Sequence, residues 1–573
     1  MNILVEKNLR VPMRDGVWLA TDLYRNADGS AAPVLVMRLP YDKERFVSPE
    51  TMTLVQAGFH VVIQDSRGRF ASQGEFHASV QEIDDGVDCY TWVAQQSWCD
   101  GRIGTLGGSY VGQVQWLASP QMPDAVQAMA VLLAPVDHYS DIAYRGGVLN
   151  LGSMLFWCSM MALGEQGRRI AAGVATPAAL QAQAMAAGNL ANLYNELPLA
   201  GMAHLQGISP HFFDWISHPT YDDFWHKIDA RNFAQLDKPV LHIGGWYDIF
   251  LNGSLQGYIG MRRSAKSAEA RSRQKLVVGP WSHGTNWTSS YHEMEYGMHA
   301  SGEAVNLTDL QLRWLERWVK DIPNGIDKDP PVRIFVMGIN QWRDEADWPL
   351  PDTRYTPYYL HSNGHANTVQ GDGTLSPVAP GKEAPDQFVY DPLDPVPSIG
   401  GANLMPFAST IGPRDQRQVE TREDVLVFTT PVLTQHVEVT GPVIAQLYVS
   451  SSAPDTDITC KLVDVHPDGR AMLLTDGILR LRYRHSFTEP TLLQPDEIVP
   501  VTIDLWGTSN VFLAGHRIRV EVSSSCFPKF ARNSNTGGNV AMESREQYQV
   551  AVNRIYHDAD HPSHLLLPLI ERA

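Results

Sequence analysis

The chain is poor in the residues that would place it in several functional classes. Cysteine is rare: five in 573 residues, at Cys89, Cys99, Cys158, Cys460 and Cys526. An odd number at irregular spacing argues against a disulfide framework and fits no zinc site. Positive charge is also scarce, with 45 Lys and Arg against 63 Asp and Glu and a formal charge of -18. Without a basic stretch, neither nucleic acid nor an anionic membrane is an expected partner. No apolar run is long enough to cross a bilayer, and Met1 to Lys7 lacks the apolar core of a secretion signal. A cytoplasmic, reducing location is expected. Internal repeats and low-complexity tracts are missing too.

Hydrophobic residues, at 44% of the chain, are ample for a large core, and the length implies two or three domains. Residues 3 to 24 read as a hairpin turning at Met13-Arg14-Asp15-Gly16. Val34 to Met37, Phe59 to Gln64, Arg102 to Leu106 and Ala128 to Leu133 are short apolar runs of buried-strand type. Helical segments separate them, among them Glu50 to Ala57 and Ser79 to Ala94. The second is expected to bury Val80, Ile83, Val87 and Tyr90. Such alternation predicts an α/β fold with a mostly parallel sheet covered on both faces.

From about Asp137 to Asn232 Met, Ala, Trp and Phe dominate, which predicts a helical insertion. It is either an ordinary subdomain or a cap over the catalytic edge, and the two are compatible. The α/β pattern resumes at Pro239 to Phe250 and Lys275 to Gly284, and a helix is expected from Asp309 to Lys320. After Asp344 short alternating runs between Pro, Gly and Asp turns predict an all-β domain of sandwich or jelly-roll type. The expected division is 1–135 with 231–345, a cap at 136–230, and the β domain at 346–573.

The chemistry centres on Gly107-Gly108-Ser109-Tyr110-Val111-Gly112. A serine in a glycine-dense bend between strand and helix is the form of a nucleophile elbow, G-x-S-x-G. Here Val111 holds the last small position and Gly112 follows it. By itself the string also fits a phosphate loop or a plain strand-to-helix connection. Two later strand ends carry the partners a serine needs. Asp248 follows the run Val240 to Ile243, and His283 follows Leu276 to Val278. The order Ser, acid, His is that of an α/β-hydrolase. Histidine can take and return the proton, and the carboxylate fixes its tautomer.

Each has an alternative role. Asp248 could cap the following helix, and His283 could be a loop histidine. Asp65 also ends a strand but precedes the serine, so Asp65-Ser66-Arg67-Gly68 reads as a structural turn. His60 reads as core or edge. The group His557, Asp558, Asp560, His561 and His564 matches no tetrahedral metal site. An oxyanion needs two donors. One is the Tyr110 amide; the loop Arg38 to Asp42 has no Gly-Gly run, so the Tyr41 hydroxyl is the other candidate, unless Tyr41 is only a packed aromatic.

Arg38-x-Pro40-Tyr41, Asp65-x-Arg67-Gly68, Trp98-x-Asp100-Gly101, Gly107-x-Ser109-Tyr110, Gly245-Trp246-x-Asp248, Trp281-x-His283 and Phe530-x-Arg532-Asn533-x-Asn535-Thr536-Gly537 together resemble the cocaine-esterase-like hydrolases. These are related to the X-Pro dipeptidyl-peptidases and the α-amino-acid ester hydrolases. The resemblance spans essentially the whole chain, and G-x-S-Y-x-G is that family's own variant. It implies an α/β-hydrolase body, a helical cap and a C-terminal jelly roll. It further implies the triad Ser109, Asp248 and His283, with an oxyanion hole from Tyr41 and the Tyr110 amide. The α-amino-acid ester hydrolases place acids just after the catalytic Asp to hold an ammonium. Ile249-Phe250-Leu251-Asn252 has none, which implies an apolar acyl pocket. Trp157, Phe250, Leu404 and Met405 are its candidate walls, or else ordinary interface packing.

The expected function is that of a serine hydrolase cleaving carboxylic esters, less readily amides, through an acyl-enzyme and without metal or organic cofactor. The expected partner is a small-molecule ester or amide, and a homodimer is allowed. X-Pro dipeptidyl-peptidase or acyltransferase activity is the runner-up. A non-catalytic carbohydrate- or partner-binding protein is the rival from another class.

Overall fold

The computed structural model describes residues 2–284, 287–405 and 411–572. Its first half is one ten-stranded sheet. In chain order its strands are β1 (Ile3–Pro12), β2 (Trp18–Asn26), β3 (Ala32–Leu39), β4 (His60–Asp65), β5 (Cys99–Gly108), β6 (Val126–Leu132), β7 (Val240–Tyr247), β8 (Gln274–Ser282), β9 (Val332–Val336) and β10 (Gln341–Glu345). In space they run β1-β2-β4-β3-β5-β6-β7-β8-β9-β10. From β4 to β9 every pairing is parallel, and β1, β2 and β10 add antiparallel edges. The parallel strands are buried on both faces, so they read as continuous apolar runs.

Helices cover both faces: α1 (Pro49–Gln56), α2 (Glu82–Ala94), α3 (Tyr110–Ala118), then, beyond the insertion, a helix at Leu251–Ser264 and another at Leu307–Val319. Helix α1 starts where its sequence dictates. Ser48 accepts from the Thr51 amide, the Thr51 hydroxyl accepts in return from the Ser48 amide, and Pro49 takes the first helical position.

Helix α2 corrects the sequence expectation. It begins at Glu82, not Ser79, and Val80 is exposed. Its buried face is Glu82, Asp85, Gly86, Cys89, Tyr90 and Val93, so Ile83 and Val87 are only partly covered. The reason is electrostatic. Glu82 pairs with Arg38 at 2.8 Å and Asp85 accepts from Arg67 Nε at 2.9 Å, so each acid is drawn inward by an arginine distant in sequence, one on β3 and one in the turn after β4.

All the helices between β6 and β7 belong to the insertion, led by Leu151–Ala171 and including Pro210–Ser217. Past β10 lies the all-β domain of jelly-roll type, an eleven-stranded sheet from Arg354–His361 to His564–Ile570. Its long strand Val437–Ser451 pairs with Val499–Phe512 on one side and with His564–Ile570 and Ala551–Tyr556 on the other. One hydrophobic cluster runs from Trp246 and Tyr258 to Leu447, Val501 and Leu565, so the β domain shares a core with the sheet it follows. No helix among the described residues is long and apolar enough to cross a membrane.

Candidate active site

Four loops at the carboxyl ends of the parallel strands meet at one point, the edge where open α/β sheets place their ligands. Ser109 follows β5, Tyr41 follows β3, Asp248 follows β7 and His283 follows β8. Ser109 has φ +58° and ψ -129°, a strained geometry for a residue with a side chain. The turn needs two small neighbours. A Cβ on Gly107 would collide with the Val111 side chain, and one on Gly112 would sit 2.5 Å from the Ala134 Cβ. Gly112, rather than position 111, is therefore the one pressed against the chain that continues from β6.

The three polar side chains are in contact. His283 Nε2 lies 3.0 Å from Ser109 Oγ, and His283 Nδ1 lies 2.7 Å from Asp248 Oδ2. Asp248 is fully buried, and its other oxygen accepts from the Phe250 amide at 2.7 Å. With Nδ1–H donated to the carboxylate, the Nε2 lone pair faces the serine hydroxyl. Phe250 meets the imidazole edge-on, with ring centroids 5.1 Å apart.

Tyr110 opens α3, so its amide has no acceptor within the helix. Its phenol donates to Glu82 Oε1 at 3.1 Å and accepts from the Ser79 amide at 3.0 Å, which anchors the residue whose N–H follows the serine. Tyr41 accepts a hydrogen bond from Trp157 Nε1 at 3.1 Å. Burial raises the Tyr41 pKa, while Trp157 and Ser109 oppose that rise, so the phenol stays protonated.

One cavity opens onto these groups. Trp157, Phe250 and Leu404 line it, as do Met154, Trp215 and Ile249. Met405 does not: it is buried, with its sulfur against Gly152 of the first insertion helix, so it supports the wall from behind. The wall also carries charges that no local pattern announced: Asp141, Arg145 and Lys529. Asp141 accepts from the Val136 and Asp137 amides and from Asn252, and burial pushes its pKa up to about 6. His138 also lines the cavity, and burial pulls its pKa down to about 3.

The remaining sequence candidates have structural roles. Asp65 accepts from the Lys43 and Ala71 amides and lies 3.4 Å from Lys43 Nζ. His60 is buried, with Nδ1 3.0 Å from the Trp98 carbonyl. His557 bridges Asp386 and Glu383, and His561 turns back onto Asp558. Among the described residues, the His and acid side chains whose ligand atoms come together are instead Asp464, His466 and His516 in the β domain.

The chain matches the X-Pro dipeptidyl-peptidase (S15 family) description over residues 15–285. Residues 324–566 match the X-Pro dipeptidyl-peptidase C-terminal non-catalytic domain. It is 44% identical to cocaine esterase of Rhodococcus sp. (strain MB1 Bresler) over 580 residues, covering 100% of this chain and 99% of that protein. An aminopeptidase of the marine sediment archaeon Thaumarchaeota archaeon has a similar structure, with TM-score 0.83 and 26% identity over 100% of this chain and 97% of that one. An α-amino acid ester hydrolase shares the fold at TM-score 0.80 and 24% identity over 99% and 97% of the two chains.

Proposed function

The chain belongs to the cocaine-esterase-like (CocE/NonD) family of serine hydrolases, and from that premise we propose a carboxylic-ester hydrolase that works through an acyl-enzyme on Ser109. The observation that carries this reading is the continuous contact from Asp248 through His283 to Ser109 Oγ.

His283 Nε2 takes the serine proton as Oγ attacks the ester carbonyl. Asp248 stabilises the imidazolium that forms. The carbonyl oxygen gains charge and is met by the Tyr41 hydroxyl and the Tyr110 amide; each such donor contributes about 3 kcal/mol. The tetrahedral adduct collapses, the C–O bond to the alcohol breaks, and His283 returns its proton to the leaving oxygen. Water, deprotonated by His283, then attacks the acyl carbon and frees Ser109. No step calls for a metal or organic cofactor. Trp157, Phe250 and Leu404 supply apolar surface for the acyl group.

The dipeptidyl-peptidase alternative needs an anchor for a free ammonium. Asp141 is the one carboxylate among the described lining residues; its oxygens already accept three N–H groups, and two cations share the wall. That balance favours an ester over a peptide with a free amino terminus. Five free, buried cysteines support a reducing, cytoplasmic setting. A fluorophosphonate probe together with a panel of p-nitrophenyl esters and aminoacyl-p-nitroanilides tests the reading. Labelling and ester turnover that both vanish in Ser109→Ala are expected; a folded protein that neither labels nor turns over esters would refute it.

A further inference from the structure

Arg145 and Lys529 face the catalytic cavity, and both are almost fully buried. They share one carboxylate. Lys529 Nζ lies 2.8 and 2.6 Å from the two oxygens of Asp476, and Arg145 Nη1 donates to the same carboxylate at 2.9 Å while Nη2 donates to the Asp476 carbonyl. Asp504 adds to the field at Arg145 without an ion pair among the described residues. The contacting trio carries one surplus positive charge.

Folding alone does not call for that surplus. One carboxylate in direct contact with two cations leaves one of them without an ion pair of its own, and Asp504 offsets that charge only through the field. Yet the position is built. Arg145 sits in a short hairpin, Tyr144–Arg145 with Val148–Leu149, whose turn is Gly146-Gly147. A Cβ on Gly146 would collide with the Ile478 carbonyl, so glycine lets the turn press onto the strand that carries Asp476. The guanidinium carbon then sits over the Trp506 ring, 3.6 Å from its centre. Its Nε–H has no hydrogen-bond partner among the described residues, although the atom is buried. Burial lowers the pKa of both cations, with Asp476 opposing. An unspent donor and two cations that share a single ion-paired carboxylate, in the wall of a reactive cavity, call for an anionic ligand.

We propose that Arg145 and Lys529 form an anion subsite of the catalytic cavity, which takes a carboxylate carried by the substrate away from the scissile ester bond. The favoured substrates are then half-esters of dicarboxylic acids, or esters of carboxylated alcohols. This rests on the esterase reading above and deepens it. It also inverts the polarity of a site built for a substrate ammonium.

The test compares kcat/KM for carboxylated and neutral esters of matched length. One arm uses p-nitrophenyl half-esters from succinate to suberate against p-nitrophenyl alkanoates, with the charge on the acyl side. The other uses 4-acetoxybenzoate against phenyl acetate, with the charge on the alcohol side. A preference for the carboxylated ester of about tenfold or more is expected in one arm. Lys529→Met and Arg145→Met should collapse that ratio, and Lys529→Arg should retain it. Neutral esters turned over with no preference in either arm would overturn the subsite and leave the esterase reading standing. Failure to turn over any ester would refute the esterase reading instead. Calorimetric titration of adipate into the wild-type protein then decides: heat of binding lost in Lys529→Met supports the subsite, and no binding overturns it. If a variant fails to fold, the wild-type ratio and the wild-type titration still give the answer.

Discussion

Trp157 Nε1 donates to the hydroxyl of Tyr41 across 3.1 Å. An indole can only donate, so the phenol oxygen must accept there and its own proton is turned elsewhere. The remaining direction is the cavity that both residues line beside Ser109. In the proposed mechanism Trp157 is then a positioning residue for the oxyanion donor, besides lining the cavity. We expect Tyr41→Phe to lower kcat about a hundredfold with little change in KM. Trp157→Phe keeps a ring in place but removes the donor, and should cost kcat less, about three- to tenfold. Steady-state kinetics on p-nitrophenyl butyrate checks both. Equal turnover in wild type and Tyr41→Phe would remove the phenol from the oxyanion hole.

Asp248 is the buried end of the proposed relay, with one oxygen on the Phe250 amide and the other on His283. Asn at this position can accept from only one of these two N–H groups, and its amide then favours the wrong imidazole tautomer. Asp248→Asn should drop kcat by about 10⁴, the scale of the same change in the trypsin triad, while the fold is kept. Stopped-assay turnover beside an unchanged circular dichroism spectrum is the measurement. A loss of less than tenfold would place the acid elsewhere.

Ser109, Asp248 and His283 were legible because each stands directly after an apolar run at a turn, and a one-dimensional pattern can record that. The variant elbow was legible as a departure but not as a cause. Only the approach of Gly112 to Ala134 explains why the small residue comes one place late. Periodicity failed at α2 because Glu82 and Asp85 are buried by arginines about 44 and 18 residues away, and hydropathy scores acids as exposed. Met405 was misplaced for a related reason: adjacent residues in a loop point opposite ways, and only Leu404 reaches the cavity. Arg145, Asp476 and Lys529 left no signal at all. They come from the insertion, a β-domain strand and a loop, and nothing in their own neighbourhoods marks them as partners.

The Arg38–Glu82 pair is the structural debt of that buried face. Their side chains are 0% and 4% exposed, and Glu82 also accepts the Tyr110 phenol proton. Removing one charge leaves the other uncompensated in the interior. Arg38→Met and Glu82→Gln should therefore each destabilise by about 3–5 kcal/mol. Urea unfolding followed by tryptophan fluorescence measures the two variants. Arg38→Met as stable as wild type would show that the pair is already solvated.

His211 links the insertion to the site. Its ring meets Trp157 at 5.3 Å and Trp215 at 5.2 Å, and neither ring nitrogen has a hydrogen-bond partner among the described residues. Burial, with Arg69 and then His138 and His77 adding repulsion, pulls its pKa down to about 3. The unfolded chain binds that proton near pH 6.5, so the folded state holds fewer protons throughout the interval between the two values. Stability from the neutral ring is thus present above about pH 6.5 and is lost as pH falls toward 3, amounting to about 2 kcal/mol by about pH 5. His211→Phe keeps the aromatic packing and removes the titration. Against wild type it should gain about 2 kcal/mol at about pH 5 relative to its difference at about pH 7.5. Urea midpoints at the two pH values decide the matter: a parallel pH dependence of stability for the two proteins would mean that His211 is already protonated, or already wet, in the folded state.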